Sequence, residues 1–85
     1  MSVNVEQEVV SILGSVLGLG PRAAKLTSAT ALLGSMAELD SMAVVAILTA
    51  LEGRLGIAVD DDEVDGRTFA TVGSLTDFVR GKLGA

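Results

Sequence analysis

Three stretches of the chain place apolar residues at three- and four-residue intervals, a spacing that restricts the fold to packed amphipathic helices. The first holds Val5, Val9, Ile12, Leu13, Val16 and Leu17, and it predicts a helix over about residues 3–17. Gly18, Gly20 and Pro21 then end it. Glycine accepts the left-handed conformation that closes a helix, and proline cannot extend the hydrogen-bond ladder. The second stretch follows Asp40 and Ser41, both favourable at the start of a helix, and runs from Ser41 to about Leu55, where Gly56 offers a cap. Projected at about 100° per residue, Val44, Ile47, Leu48, Leu51 and Leu55 form its core face. The third opens near Thr71 and puts Val72, Leu75, Phe78, Val79 and Leu83 on one side.

Between the second and third stretches, residues 56–59 read as extended and partly buried. The acidic run Asp60, Asp61, Asp62, Glu63 then favours the start of a short third helix through the helix dipole. Residues 22–40 show no period, although Ala31, Leu32 and Leu33 make a short apolar piece that can tuck against the core, with Gly34 and Ser35 beyond it. A connection this long usually has a role. No internal repeat, low-complexity linker or alternating strand pattern is present. The expected fold is all-α: a four-helix bundle with a long first loop and a short third helix.

The 85 residues fit one domain, 1–85, with a single modest core. Phe69 and Phe78 are its only aromatic residues, so that core is built from small aliphatic side chains and deforms easily. The chain has no His and no Cys. Imidazole catalysis, disulfides, thiolate chemistry and ordinary zinc ligation are thereby excluded. The start of the chain lacks the basic and apolar segments of a secretory signal, so a cytoplasmic location is expected. The longest apolar run, 42–51, is about half of what a membrane span needs, so no membrane insertion is expected. A net charge of −5 repels nucleic acid and anionic lipid and favours protein partners. Nothing signals oligomerisation, and a monomer is expected.

The chemistry concentrates in Glu38-Leu39-Asp40-Ser41-Met42, where the long loop meets the second helix. Backbone N–H groups of a first helical turn are unpaired and the dipole there is positive, so a phosphate on Ser41 is held favourably. Taken alone, the same residues also fit a simple helix cap. Opposite the core face of that helix lie Met42, Val45, Ala46 and Thr49, with Glu52 further along. An apolar surface beginning beside Ser41 suits transient protein partners. The residues alone leave a second reading open, in which the preceding loop covers this face and makes it core.

An Asp-Ser-apolar tripeptide at the start of the second of four helices, in a small acidic chain with a long first loop, resembles the acyl carrier protein family. The family's usual Asp-Ser-Leu is Asp40-Ser41-Met42 here, a departure that keeps a flexible apolar side chain. The resemblance extends over nearly the whole chain, including 60–63 and Thr71-Val72-Gly73-Ser74-Leu75. It implies a non-enzymatic carrier in which a phosphopantetheinyl transferase uses coenzyme A to place 4'-phosphopantetheine on Ser41. Acyl groups then ride as thioesters on the arm's thiol, delivered by acyl-loading and acyl-transfer enzymes, and Asp40 assists magnesium and transferase recognition. The resemblance also implies that Met42, Val45 and Thr49 contact client enzymes, and that an acyl chain enters the core around Leu48, Leu51, Ile57, Val64 and Leu75.

Many carriers of fatty acid synthesis line this helix with acids, whereas here only Glu52 follows the serine, and Ala43 and Ala46 stand where acids are frequent. The pattern looks more like the specialised carriers of bacterial exosortase and exopolysaccharide systems. A peptidyl or aminoacyl carrier would use the same arm. A serine hydrolase lacks a base beside Ser41, and an unmodified helical interaction module would leave Ser41 as a cap. The acids at 60–65 lack the alternating ligands and final glutamate of a calcium loop. Gly14 and Gly18 read as a close-packing point and a helix end.

Overall fold

A computed structural model describes residues 4–32 and 39–84. Val3, Leu33, Gly34, Ser35 and Glu38, which figure in the expectations above, lie outside the described residues. Three α-helices form the frame: α1 (Val5–Val16), α2 (Ser41–Leu55) and α3 (Val72–Leu83). The expected short third helix is a single 3-10 turn, Asp61–Glu63. Its start is closed from both sides: the Asp60 N–H donates to Glu63 Oε2 at 3.0 Å and the Glu63 N–H to the Asp60 carbonyl at 3.0 Å.

Helix α1 begins where Asn4 Oδ1 accepts the Gln7 N–H at 3.1 Å, a cap the hydrophobic pattern did not reveal. Its stripe of Val5, Val9, Ile12 and Leu13 is buried and packs against both other helices. Burying each such side chain contributes about 1.5–3 kcal/mol, and α1 is accordingly the centre of the bundle. Gly14 lies on this helix where an added Cβ would stand 2.7 Å from Ala23 Cβ, so close packing fixes glycine there. Gly18, at φ 64°, ends the helix as expected.

The stretch after it departs from the expected irregular loop, because residues Gly20–Lys25 form a 3-10 helix with Pro21 in its first turn. Proline suits that position, where its missing N–H would have had no partner. Beyond it, the chain is stitched to the start of α3. The Val72 N–H donates to the Thr30 carbonyl (3.0 Å), the Gly73 N–H to the Ser28 carbonyl (2.8 Å) and the Leu32 N–H to the Ala70 carbonyl (2.9 Å). Leu32 is fully buried, as its apolar neighbourhood predicts, while Ala31 is exposed.

Helix α2 has the predicted bounds, from the Asp40 cap to Gly56 in the left-handed conformation at φ 68°. Ile47 and Leu51 are completely buried, and Val44, Leu48 and Leu55 pack partly buried against the same core. Arg54 near its end pairs with Glu8 of α1 at 3.2 Å, a contact of exposed side chains that contributes little to stability. On α3, Val72, Leu75 and Val79 are buried as predicted, but Leu83 is exposed, because the helix ends there and Gly84 turns the chain away. Thr76 takes a buried place the apolar pattern assigned to no one. It is tolerated because its hydroxyl donates to the Val72 carbonyl at 2.8 Å.

Candidate functional site at the start of helix α2

Ser41 is the first residue of α2 and is exposed. Asp40 before it is extended, at φ −111° and ψ −176°, and Asp40 Oδ1 accepts the Ala43 N–H at 2.8 Å. The Asp40 carbonyl accepts the Val44 N–H at 2.9 Å, opening the regular helical ladder. These two bonds leave the N–H groups of Ser41 and Met42 without an acceptor among the described residues, and the Ser41 hydroxyl likewise makes no hydrogen bond there. An exposed nucleophilic oxygen therefore stands beside two free donors at the positive end of a helix. That environment stabilises an anion bonded to the serine oxygen.

A phosphodiester-linked arm fits this position. Its attachment atom faces solvent, its phosphate charge meets unpaired N–H groups, and no buried side chain has to move to admit it. Asp40 Oδ2 has no hydrogen bond among the described residues, while Oδ1 caps the helix. Among the described residues no group of three potential ligands is close enough to hold a metal ion by itself.

The outer face of α2 is open: Met42 is 80% exposed, Val45 is 63% exposed, and Ala46 and Thr49 are exposed as well. Two details were not legible in the sequence. The Thr49 hydroxyl turns back to donate to the Val45 carbonyl at 2.9 Å. Glu52, expected among the docking residues, is half-buried, and its Oε2 accepts the Val59 N–H at 2.9 Å. Its carboxylate thus holds the extended segment after Gly56, and it is not a free charge on the outer face. The five residues assigned to an acyl pocket come together in one core cluster: Leu51 and Leu75 are fully buried, Ile57 is buried, and Leu48 and Val64 pack partly buried against them. They come from α2, the 57–64 segment and α3.

Comparison with protein families matches residues 7–79 to the phosphopantetheine attachment site family. Comparison of the sequence with curated proteins yields no significant match. Among solved structures, the chain is similar to the solution NMR structure of a holo acyl carrier protein from Nitrosomonas europaea. The two are 49% identical, with a TM-score of 0.88, over 98% of this chain and 100% of the other. A family match over most of the chain, joined to that identity over nearly its full length, places the protein in the acyl carrier protein family, as a carrier with covalently bound 4'-phosphopantetheine and not an enzyme.

Proposed function

We propose that Ser41 is the attachment residue and that the protein carries acyl groups as thioesters on the arm it bears. The observation that carries this reading is the exposed Ser41 hydroxyl beside the N–H groups of Ser41 and Met42, which have no acceptor among the described residues. During attachment the Ser41 oxygen gives up its proton and forms a phosphodiester with the phosphopantetheinyl phosphate of coenzyme A, whose nucleotide portion leaves. The two N–H groups hold the phosphate charge on the product. Asp40 keeps the helix start open through Oδ1, and its other oxygen adds a hard ligand to the magnesium ion that accompanies coenzyme A. The bound arm supplies the thiol that a chain without cysteine lacks.

Met42, Val45, Ala46 and Thr49 form the surface read by the transferase and by acyl-loading and acyl-transfer enzymes. We place the protein in the cytoplasm, where coenzyme A is at hand. No described helix is long and apolar enough to cross a membrane. The scarcity of acids on α2 favours a specialised lipid, polyketide or exopolysaccharide-linked pathway over bulk fatty acid synthesis. Leu48, Leu51, Ile57, Val64 and Leu75 are all aliphatic, with Phe69 buried in the same cluster and Phe78 packed against it, and an acyl chain can enter among them by displacing mobile aliphatic groups.

The test is to load the protein with a medium-chain acyl-phosphopantetheine from the matching acyl-coenzyme A. We expect a mass gain reversed in part by hydroxylamine, which cleaves the thioester, together with a higher melting temperature and shifted methyl resonances for Leu51, Ile57 and Leu75. Loading that leaves both the melting temperature and those resonances unchanged would exclude entry of the chain into the core.

A further inference from the structure

The exposed stripe of α2 carries no free charge along its length, although the protein as a whole has a net charge of −5. From Met42 through Val45, Ala46 and Thr49 to Gly53, every residue of the stripe is exposed and uncharged. The hydroxyl of Thr49 is itself engaged, because it donates to the Val45 carbonyl. Among the described residues, the carboxylates in or next to α2 are Asp40, which caps the helix through Oδ1 on the Ala43 N–H, and Glu52, which holds the Val59 N–H. All other acids lie outside α2. At the far end Arg54 turns to Glu8 of α1.

From this distribution we infer that the partners of this carrier meet α2 through an apolar, uncharged patch and not through a basic one. The inference rests on the reading of Ser41 given above and names the chemistry of the partner surface. A basic patch would find no carboxylate along the stripe beyond Asp40 at its very start, whereas burying Met42 and Val45 against an apolar surface removes two strongly exposed side chains from water. A second copy of the chain is a poor occupant, because two molecules of net charge −5 repel one another. An anionic lipid surface is disfavoured for the same reason. Proximity to Ser41 assigns the stripe to enzymes that handle the arm, since any of them must approach α2 at its first turn.

The consequence is an association that salt hardly changes, because screening weakens charge pairs and leaves apolar contact intact. The experiment is a steady-state titration of the apo-protein against a broad-specificity phosphopantetheinyl transferase with coenzyme A and magnesium saturating at every salt concentration. Between about 50 and about 400 mM NaCl the KM for the carrier is expected to change by less than about twofold. Val45→Ser and Met42→Ser, both at exposed positions that leave the fold intact, are each expected to raise KM by about fivefold or more with kcat nearly unchanged.

A KM that climbs by about tenfold with salt while remaining indifferent to Val45→Ser would overturn the inference in favour of charge-led docking. A concentration-dependent dimer in sedimentation that Val45→Ser dissolves would assign the stripe to a second copy and overturn it as well. Absence of transfer to the folded protein at any concentration would instead remove the Ser41 reading on which the inference stands.

Discussion

Helices α2 and α3 both start with a capping side chain and a serine in the first turn, and the two starts are put to opposite uses. At α3, Thr71 and Ser74 close a reciprocal capping box: the Ser74 N–H donates to Thr71 Oγ1 and the Thr71 N–H to Ser74 Oγ, each at 3.0 Å. The next two N–H groups, of Val72 and Gly73, are taken by the carbonyls of Thr30 and Ser28. The Ser74 hydroxyl is itself placed to donate to the Thr68 or the Thr71 carbonyl. Nothing there is left for a ligand. At α2 a single Asp40 caps the helix, and among the described residues the N–H groups of Ser41 and Met42 and the serine hydroxyl have no partner. A serine at a helix start is thus a structural part when its surrounding donors are satisfied, and it is open to carrying an anionic group when they are not. The difference comes from what packs against the helix end, not from the residues at the end alone.

The largest expected effect of breaking this contrast falls on the α3 side. A Cβ added at Gly73 would stand 2.8 Å from the Ser28 carbonyl oxygen, which is backbone and cannot swing away. Gly73→Ala should therefore push the 27–32 segment off α3 and cost about 1–3 kcal/mol. Ser74→Ala, which opens the capping box, should cost about 1 kcal/mol. In a domain of this size about 1 kcal/mol moves the melting temperature by about 4–8 °C, so thermal denaturation ranks the two. A Gly73→Ala protein as stable as the unsubstituted one would show that the stitched loop is not what closes α3.

A smaller effect sharpens the comparison at the other end of α3. The start of α3 is held by uncharged groups, whereas Lys82 in its last turn bonds both oxygens of Glu63, at 2.7 and 2.8 Å. The Lys82 hydrogen bond, and after it the one from the Asp60 N–H, hold the Glu63 carboxyl below its ordinary value; desolvation opposes them, and the Lys82 charge adds the smallest effect. Because the folded-state value is depressed, the stabilisation is present above the unfolded value of about 4.3 and fades as the pH falls through the lower folded value. The pair is solvent-exposed, so the effect is small. Acid denaturation followed for the unsubstituted protein and for Lys82→Met should show the difference between them shrinking as the pH drops through that window. A difference that stays constant would mean the pair does not contribute through charge.

Much of this is legible in the sequence itself. Asp40, Gly56 and Thr71 announce helix ends by chemistry that acts within one turn, and Ile47, Leu51, Leu75 and Val79 announce a buried face by spacing. The tripeptide at Asp40 carried the resemblance that the family comparison bears out. What the sequence hid depends on partners far away along the chain. The bonds from Ser28 and Thr30 to Gly73 and Val72 join backbone groups, which carry no side-chain signature. Glu52 looks like a surface acid on a helical wheel, yet the left-handed Gly56 folds Val59 back to meet it. The 3-10 helix Gly20–Lys25 is too short to show a period, and the Gly14–Ala23 approach that seats it is visible only in three dimensions.

The central claim is that Ser41, with its unsatisfied surroundings, and not Ser74 or any other hydroxyl, receives the arm. Intact-protein mass after incubation with coenzyme A, magnesium and a broad-specificity phosphopantetheinyl transferase tests it directly, with Ser41→Ala and Ser74→Ala run alongside. The account predicts a gain of one phosphopantetheinyl group in the unsubstituted protein and in Ser74→Ala, and none in Ser41→Ala. A gain retained in Ser41→Ala, or no gain in the folded unsubstituted protein, would contradict it.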